Sequence, residues 1–199
     1  MGKRFRDTWV FRNLNYSFSI NENYVILGRN GSGKSTLLQI ISAMTLPSEG
    51  EIIYSISGEK LEPVKIYKDT TYAAPYVELF EQLTLNEMIE VHRGFKSFYN
   101  NMSNDEIIER IYLQDHKDNR LEVFSSGMRQ RVKLALAIMS KSNLLLLDEP
   151  LTNLDEKGKN WYLNTVEEFK EHRTIIVCSN HQKDEYAFCE RAYHLNEEQ

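Results

Sequence analysis

Residues 28–36 are Gly28-Arg29-Asn30-Gly31-Ser32-Gly33-Lys34-Ser35-Thr36, which matches the phosphate-loop pattern G-x-x-x-x-G-K-[ST]. A triphosphate needs several converging hydrogen-bond donors, and consecutive backbone N–H groups supply them where no side chain blocks the approach. The glycines leave that approach open. We expect the Lys34 ammonium to lie between the β- and γ-phosphates and the Ser35 hydroxyl to bind Mg²⁺. The stretch predicts a nucleoside triphosphate site formed by Asn30, Gly31, Ser32, Gly33, Lys34, Ser35 and Thr36.

The sequence on either side of this loop supports the prediction. Residues 24–27 form a short apolar run that is typical of a buried strand. After the loop, Leu37, Leu38, Ile40 and Ile41 are spaced as on one face of a helix. A helix that begins near Gly33 would direct the positive end of its dipole at a bound phosphate.

Composition restricts the class of protein. The chain has 199 residues, of which 41% are hydrophobic and 27% charged, as expected for one globular domain with a sizeable core. Its net charge of -5 argues against nucleic acid as the main partner. No apolar run approaches the ~20 residues that span a bilayer, and residues 1–7 lack the apolar stretch of a secretory signal. We therefore expect a cytoplasmic protein with Cys178 and Cys189 as reduced thiols.

The first third of the chain shows strand signals. Between Trp9 and Ile20, the apolar residues Leu14, Tyr16, Phe18 and Ile20 alternate with polar ones, which predicts a half-buried strand that is antiparallel to its neighbours. Residues 47–50 predict a turn. Short strands are predicted at residues 51–54 and 70–74, with a loop or strand region between them.

Helical signals dominate residues 76–140. Residues 86–95 fit a helix, residues 103–106 form a capping box that opens a second, and residues 127–139 fit a third. This pattern predicts an inserted helical subdomain at 76–140. The remaining residues, 1–75 and 141–199, are predicted to form the core of a single domain.

Strands and helices then alternate to the end of the chain. Strands are predicted at residues 144–147, 174–178 and 192–195, with a helix at 156–170. The predicted fold is α/β: a P-loop NTPase with a mainly parallel core sheet, an antiparallel β edge near the N-terminus and the inserted helical subdomain.

Two carboxylates follow the strand at residues 144–147. Asp148 stands where phosphate-loop proteins place a carboxylate that holds Mg²⁺. Glu149 is the candidate general base that polarises a water for attack on the γ-phosphate. We therefore predict Ser35 and Asp148 as metal-binding residues and Glu149 as catalytic.

In the order and spacing of its motifs, the chain resembles the ATP-binding cassette (ABC) ATPases, the motor subunits of ABC transporters. Residues 28–36 match their Walker A motif, and residues 144–149 match their Walker B motif with its catalytic glutamate. Residues 152–155 resemble the D-loop, and His181 follows a strand where the family has its switch histidine. Residues 124–131, Phe-Ser-Ser-Gly-Met-Arg-Gln-Arg, resemble the signature that is usually written L-S-G-G-Q.

The resemblance implies a head-to-tail dimer in which two ATP molecules lie between the Walker A loop of one subunit and the signature of the other. Ser125 and Gly127 would then contact the γ-phosphate in trans, and Asp155 would lie in the D-loop beside it. His181 would donate a hydrogen bond to the developing anion. Either Phe5 or Trp9 would stack on adenine, with Phe5 in the better matching Lys-Arg-Phe setting. A homodimer is the economical assembly, and a heterodimer with a related subunit stays open.

Three departures from the family pattern affect the expected activity. In the signature, Ser126 replaces a glycine and Met128 replaces the glutamine, and the loss of that polar contact weakens the site in trans. Pro75 stands where the family has the Q-loop glutamine that positions Mg²⁺ and the attacking water. A partner, Tyr76 or Glu78 could supply a replacement. Finally, only residues 1–4 precede Phe5, so the sheet edge is shortened or the natural start lies upstream.

The leading hypothesis is an ATP-hydrolysing subunit, with ATP and Mg²⁺ as cofactors, that powers transport through a separate membrane-spanning partner. It would lie at the cytoplasmic face of the membrane. The apolar residues Tyr76, Val77, Leu79 and Phe80 would either meet that partner or contribute to the core of the domain. One alternative is a soluble ABC ATPase that acts on a protein or nucleic-acid assembly. Another is an ATP-binding regulatory module with weak hydrolysis, and a small-molecule kinase ranks last because it does not explain the signature and the D-loop.

Overall fold

The computed structural model describes residues 1–195, and the last four residues of the predicted core segment 141–199 lie outside this range. The strands, in chain order, are β1 (Lys3–Phe5), β2 (Thr8–Phe11), β3 (Asn23–Leu27), β4 (Ser55–Ile56), β5 (Glu59–Lys60), β6 (Thr70–Ala73), β7 (Leu144–Asp148), β8 (Thr174–Ser179) and β9 (Arg191–His194). The α-helices are α1 (Lys34–Ile41), α2 (Pro63–Lys68), α3 (Leu85–Arg93), α4 (Asn104–Arg110), α5 (Ser126–Ile138) and α6 (Glu156–Phe169).

The core of the fold is a parallel sheet of five strands in the order β6-β7-β8-β3-β9. Leu27 at the end of β3 pairs with Ser179 of β8, and Asp148 at the end of β7 pairs with Cys178. Because the strands run in the same direction, their carboxyl ends meet at one edge. The loops that follow β3, β6, β7 and β8 therefore converge there.

Helices cover both faces of this sheet, which is why β3 and β8 are buried along their whole length. One hydrophobic cluster joins α1 to Ile26, Leu146 and Ile176 of the sheet. The other joins α5 and α6 to the opposite face. The predicted α/β class with a mainly parallel sheet is confirmed.

The N-terminal β1 and β2 form a separate antiparallel pair, which confirms the predicted antiparallel edge. Of the strand predicted between Trp9 and Ile20, only residues 9–11 are confirmed, as part of β2, and the prediction is wrong for residues 12–20, which form no strand. Leu14 is buried, and Tyr16 and Phe18 are half-buried between exposed neighbours. The rings of Tyr16 and Phe18 contact other aromatic rings, including Tyr24. Burial with a period of two therefore arises here without ladder hydrogen bonds.

The segment between α1 and β6 also differs from the prediction. Residues 51–54 form no strand, and β4 and β5 pair instead as a hairpin around Ser57 and Gly58. Both turn residues have positive φ, 52° and 83°, which is the geometry of a tight type I′ turn. Helix α2 was not predicted, because none of its six residues is buried and no apolar period marks it. Its one sequence signal is Pro63 at the first helical position.

Residues 76–140 contain α3, α4 and α5, and capping boxes open the first two of these helices. The box at Ser103 and Glu106 is the one that the sequence predicted. Buried residues of all three helices share one cluster with β7, β8 and α6. The division of the domain at residues 76 and 140 therefore stays a prediction.

Candidate nucleotide-binding site

The phosphate loop connects β3 to α1 through two residues with left-handed backbone geometry. Gly31 and Gly33 have φ values of 80° and 97°, and Gly33 is the N-cap of α1. A Cβ atom at Gly33 would lie 2.4 Å from Cγ1 of Val10. The loop therefore needs glycine at this position for its backbone angle and for the space beside β2.

Lys34, the first residue of α1, is directed back over the loop. Its side chain is buried, and Nζ donates to the carbonyl oxygens of Gly28 and Arg29 at 2.8 and 3.2 Å. The positive end of the α1 dipole and this ammonium group lie on the same side of the loop. Their combined potential favours an anion.

A pocket of about 370 Å³ opens in front of the loop and includes a residue from the end of β7. Its lining consists of Val10, Asn30, Gly31, Gly33, Lys34, Ser35, Thr36 and Glu149. The structure thus brings the predicted loop residues together with the predicted catalytic Glu149. Ser32 is not in the lining, although it lies inside the loop, where its N–H donates to the Arg29 carbonyl oxygen at 3.1 Å.

Phe5, the predicted adenine-stacking residue, is not in this lining. It is 54% exposed, and the Lys3 ammonium lies 5.2 Å from its ring centroid. Sequence reasoning missed Val10, whose only signal was its place on a strand near the N-terminus. Stacking by Phe5 or Trp9 stays a prediction.

Asp148 has the environment of a metal ligand. It is 3% exposed, and its Oδ2 atom has no hydrogen-bond partner within residues 1–195. Burial and then the Glu149 charge raise the pKa of this carboxyl, whereas the hydroxyl groups of Ser35 and Tyr76 and the charge of Lys34 lower it. An unpaired buried carboxylate oxygen beside a serine hydroxyl is a suitable donor set for Mg²⁺, which takes oxygen ligands. The residues present therefore fit the predicted metal.

Three residues near the carboxyl edge of the sheet have strained backbones. Glu149, Asn153 and His181 have φ values of 43°, 65° and 61°. This geometry is costly for a side chain such as that of Glu149 and is more easily adopted by asparagine and histidine. A hydrogen bond from the Glu149 N–H to the Cys178 carbonyl oxygen at 2.9 Å holds the first of them against β8. His181 is exposed after β8 and does not line the pocket, so its contact with phosphate stays a prediction.

The signature and the D-loop form a second pocket of about 280 Å³. Its lining is Ser125, Ser126, Gly127, Met128, Arg131, Asn153, Leu154 and Asp155. Ser125 and Asp155 are the N-caps of α5 and α6, and their side chains accept hydrogen bonds from the N–H groups of Met128 and Gly158. The N-termini of two helices therefore open into this pocket. None of its lining residues lines the phosphate-loop pocket.

Strand β6 and the segment after it each add one tyrosine to the surroundings of Asp148. The hydroxyl groups of Tyr72 and Tyr76 are hydrogen-bonded to each other, and burial raises the pKa of both phenols, so both stay neutral. Pro75 contributes its carbonyl oxygen, which accepts a hydrogen bond from Lys133 Nζ at 2.8 Å. Sequence reasoning named Tyr76 only as one of several replacements for the glutamine, because spacing alone does not show which side chain reaches Asp148.

A glycine loop between a parallel strand and a helix, with two carboxylates at the end of a nearby buried strand, defines a P-loop NTPase site. The family model described as ABC transporter matches residues 11–152. The chain therefore belongs to the ABC transporter ATP-binding family.

Individual relatives agree with this assignment. The chain is 32% identical to the ABC transporter ATP-binding protein YybJ of Bacillus subtilis (strain 168), over 98% of this chain and 89% of YybJ. It is 26% identical to the linearmycin resistance ATP-binding protein LnrL of the same strain, over 95% of this chain but only 62% of LnrL. The solved dimeric structure of the ATP-binding cassette MJ0796 bound to ADP and Pi superposes with a TM-score of 0.81, at 26% identity, over 98% of this chain and 90% of that one.

Within residues 1–195, every helix is too short or too polar to span a bilayer. The same part of the chain contains no cluster of three or more His, Cys, Asp or Glu residues that could hold a metal ion.

Proposed function

We propose that this chain is the ATP-hydrolysing subunit of a transporter, working as a head-to-tail homodimer on a separate membrane-spanning partner. The observation that carries the proposal is the phosphate-loop pocket, which Glu149 lines together with Lys34 and Ser35. Asp148, the last residue of β7, directly precedes Glu149. A general base and a triphosphate cradle are thus on the same pocket wall. Family membership supports ATP as the nucleotide.

The loop binds the triphosphate with groups that are already in place. The N–H groups from Asn30 to Thr36 surround the phosphates, and α1 directs the positive end of its dipole at them. Lys34 exchanges the carbonyl oxygens of its own loop for phosphate oxygens. Because these donors sit on a rigid strand-to-helix turn, little ordering is needed when the nucleotide binds.

Ser35 and Asp148 would hold Mg²⁺ through oxygen ligands. When bound, Mg²⁺ would neutralise negative charge on the β- and γ-phosphates. The unpaired Oδ2 of Asp148 supplies an acceptor for a ligand or for one of its waters.

Glu149 orients and deprotonates the water that attacks the γ-phosphate in line with the leaving oxygen. The positive φ of Glu149 and the hydrogen bond from its N–H to β8 fix the backbone position from which its carboxylate side chain extends. The imidazole of His181, two residues after β8, donates a hydrogen bond to the γ-phosphate as negative charge develops on it.

The second pocket provides the other wall of the site. Ser125, Gly127 and Asp155 line it, but they do not line the phosphate-loop pocket of the same chain. In a head-to-tail dimer, the α5 N-terminus of one copy would face the γ-phosphate held by the other. The dimeric cassette structure that this chain resembles supports such an assembly.

The printed names of the relatives support a membrane partner, since YybJ and LnrL are named as ATP-binding proteins of a transporter and of a resistance system. Tyr76 and Phe80 are 49% and 61% exposed after β6, and an apolar partner segment would cover them. The chain would then lie at the cytoplasmic face of the membrane, and with a net charge of -5 we expect no nucleic-acid partner.

The test compares steady-state ATP hydrolysis by the parent chain and Glu149→Gln, with sizing in ATP and Mg²⁺. We expect the parent to turn over and Glu149→Gln to be inactive and to form an ATP-dependent dimer. Glu171→Gln is the matched control, because Glu171 is exposed and far along the sequence from the pocket. ATP binding without turnover in the parent, alone and with membranes, would contradict the proposal. The regulatory alternative, which Pro75 and Met128 favour, would then stand.

A further inference from the structure

We propose that the Tyr76 hydroxyl is a positioning group of the hydrolysis site, donating a hydrogen bond to Asp148 while Tyr72 orients it. This inference rests on the proposed function. It assigns to Tyr76 a task that the side chain of Pro75 cannot perform.

The sheet places the two tyrosines on the same side as Asp148. Tyr72 of β6 pairs with Leu146 of β7, and both pack in the cluster around α1. Side chains two residues apart on a strand point to the same face, so Asp148 follows Leu146 on this face. Tyr76 comes three residues after the end of β6, at the edge where β7 ends in Asp148.

The two hydroxyl groups can form a relay toward Asp148, because either oxygen of the Tyr72–Tyr76 hydrogen bond can be the donor. Tyr72 and Tyr76 are hydrogen-bonded through their oxygens, with ring centroids 6.3 Å apart and planes tilted by 51°. Hydrogen bonding by the Tyr76 hydroxyl is one of the causes that lower the pKa of the Asp148 carboxyl, and Gln39 of α1 lowers the pKa of Tyr76 in the same way. A hydroxyl has one proton to give. If Tyr72 donates to Tyr76, the Tyr76 proton is free for the carboxylate.

The backbone around Tyr76 is held on both sides. The Val77 N–H donates to the Ala74 carbonyl oxygen at 3.2 Å, which closes a turn. Lys133 of α5 donates to the Pro75 carbonyl oxygen at 2.8 Å, and the proline ring fixes its own φ. The direction of the Tyr76 side chain is therefore set by fixed elements, although the ring itself is half exposed.

A hydrogen bond to one carboxylate oxygen limits the rotation of the Asp148 side chain and leaves the other oxygen for the metal shell. Groups that orient metal-binding residues in this way typically change metal affinity or activity about 10- to 100-fold when they are removed. The effect of Tyr76 should appear in the binding of a divalent cation and in turnover, with little effect on nucleotide binding itself.

The experiment uses Tyr76→Phe, Tyr72→Phe, the double variant and Tyr67→Phe as a control. Tyr67 is an exposed tyrosine of α2. Each chain is assayed for kcat and KM for ATP, and for Mn²⁺ affinity with a nonhydrolysable ATP analogue by electron paramagnetic resonance. We expect Tyr76→Phe to lower kcat and Mn²⁺ affinity by roughly tenfold or more with KM for ATP within about threefold, and Tyr67→Phe to match the parent.

The double variant should equal Tyr76→Phe, because Tyr72 acts only through Tyr76. Additive losses would overturn the relay. Parent-like kcat and Mn²⁺ affinity in Tyr76→Phe, alongside an inactive Glu149→Gln, would overturn the inference and leave the proposed function intact. If the parent does not hydrolyse ATP, Mn²⁺ affinity still decides: an unchanged value overturns the role of Tyr76, and a weakened value supports it.

Discussion

Lys133 Nζ lies 2.8 Å from the carbonyl oxygen of Pro75 and donates a hydrogen bond to it. The two residues are far apart in the chain, one on α5 and the other directly after the sheet. Burial is the main cause that lowers the pKa of this lysine, and the Arg129 charge adds to it. The bond therefore joins the helix that begins at the signature to the turn that carries Tyr76.

Replacing Lys133 by Met keeps the length of the side chain and removes its charge and donor. Hydrogen bonds from charged groups contribute about 1.5–3 kcal/mol, and partial exposure places this one near the lower end. We expect the free energy of unfolding in urea to fall by about 1.5 kcal/mol. Exposed Lys141→Met is the control. An equal decrease in the free energy of unfolding in both variants would show that the hydrogen bond to Pro75 does not stabilise the fold.

Gly33→Ala should damage the phosphate loop. Alanine at φ 97° costs roughly 1–2 kcal/mol, and its Cβ atom would lie 2.4 Å from Cγ1 of Val10. We expect fluorescent ATP analogues to bind at least about tenfold more weakly.

Gly58→Ala is the matched control for Gly33→Ala. Gly58 has φ 83°, and a Cβ atom there would meet nothing within 4 Å. This variant should lose about 1 kcal/mol of stability and keep its nucleotide affinity. Normal ATP binding by Gly33→Ala would contradict the assignment of the loop.

Gly127→Ala should separate nucleotide binding from dimerisation. Its Cβ atom would lie 2.9 Å from the Asn153 carbonyl oxygen, which forces α5 and the D-loop apart. Overpacking of this kind costs about 1–3 kcal/mol. We expect the ATP-dependent dimer of the Glu149→Gln chain to weaken by about tenfold or more in sedimentation, whereas ATP binding to each monomer stays normal. Exposed Gly94→Ala, with helical φ, should leave the dimer intact.

Glu185 should make stability depend on pH. It is 2% exposed, and its Oε1 accepts a hydrogen bond from the Leu151 N–H at 3.4 Å. Burial raises its pKa to about 7, and the charges of Glu149 and Asp148 add to that rise. The native state therefore keeps a proton that the unfolded state loses above its usual pKa. Between these two values stability falls as pH rises.

Glu185→Gln removes this penalty and keeps an acceptor for Leu151. At pH 8 we expect the variant to be more stable than the parent by up to about 3 kcal/mol, from the size of the pKa shift. At pH 4, where Glu185 is protonated in both states, the two chains should differ little. Urea unfolding across this range is the measurement, and parallel curves for the two chains would contradict the raised pKa.

The sequence predicted the site best where the chemistry depends on a contiguous run. Gly31, Gly33 and Lys34 lie close together in the sequence, so their spacing alone already places them beside one another at the start of α1. Residues 144–147 are wholly apolar because both faces of β7 are covered, and this signal predicted the strand at whose end the two carboxylates lie. The order of the parallel strands was not predictable, because period and composition do not state which strands are neighbours.

Other features depended on packing that no short pattern records. Burial alternates along residues 14–18 as it would in a strand, because the Tyr16 ring packs against other aromatic rings such as Tyr193. The segment nevertheless pairs with no strand. Val10 reaches the pocket only because β2 passes beside Gly33. The approach of Tyr76 to Asp148 depends on how β6 and β7 are aligned, which is a long-range property.

The phosphate-loop pocket and the pocket at the signature and D-loop have no lining residue in common. In the proposed homodimer, each ATP site would combine the phosphate-loop pocket of one subunit with the signature pocket of the other. A cell that makes both the normal chain and one with a damaged signature segment would then assemble mixed pairs, each with one defective site. Such an allele should be dominant over the normal gene, whereas a chain too unstable to dimerise should be recessive.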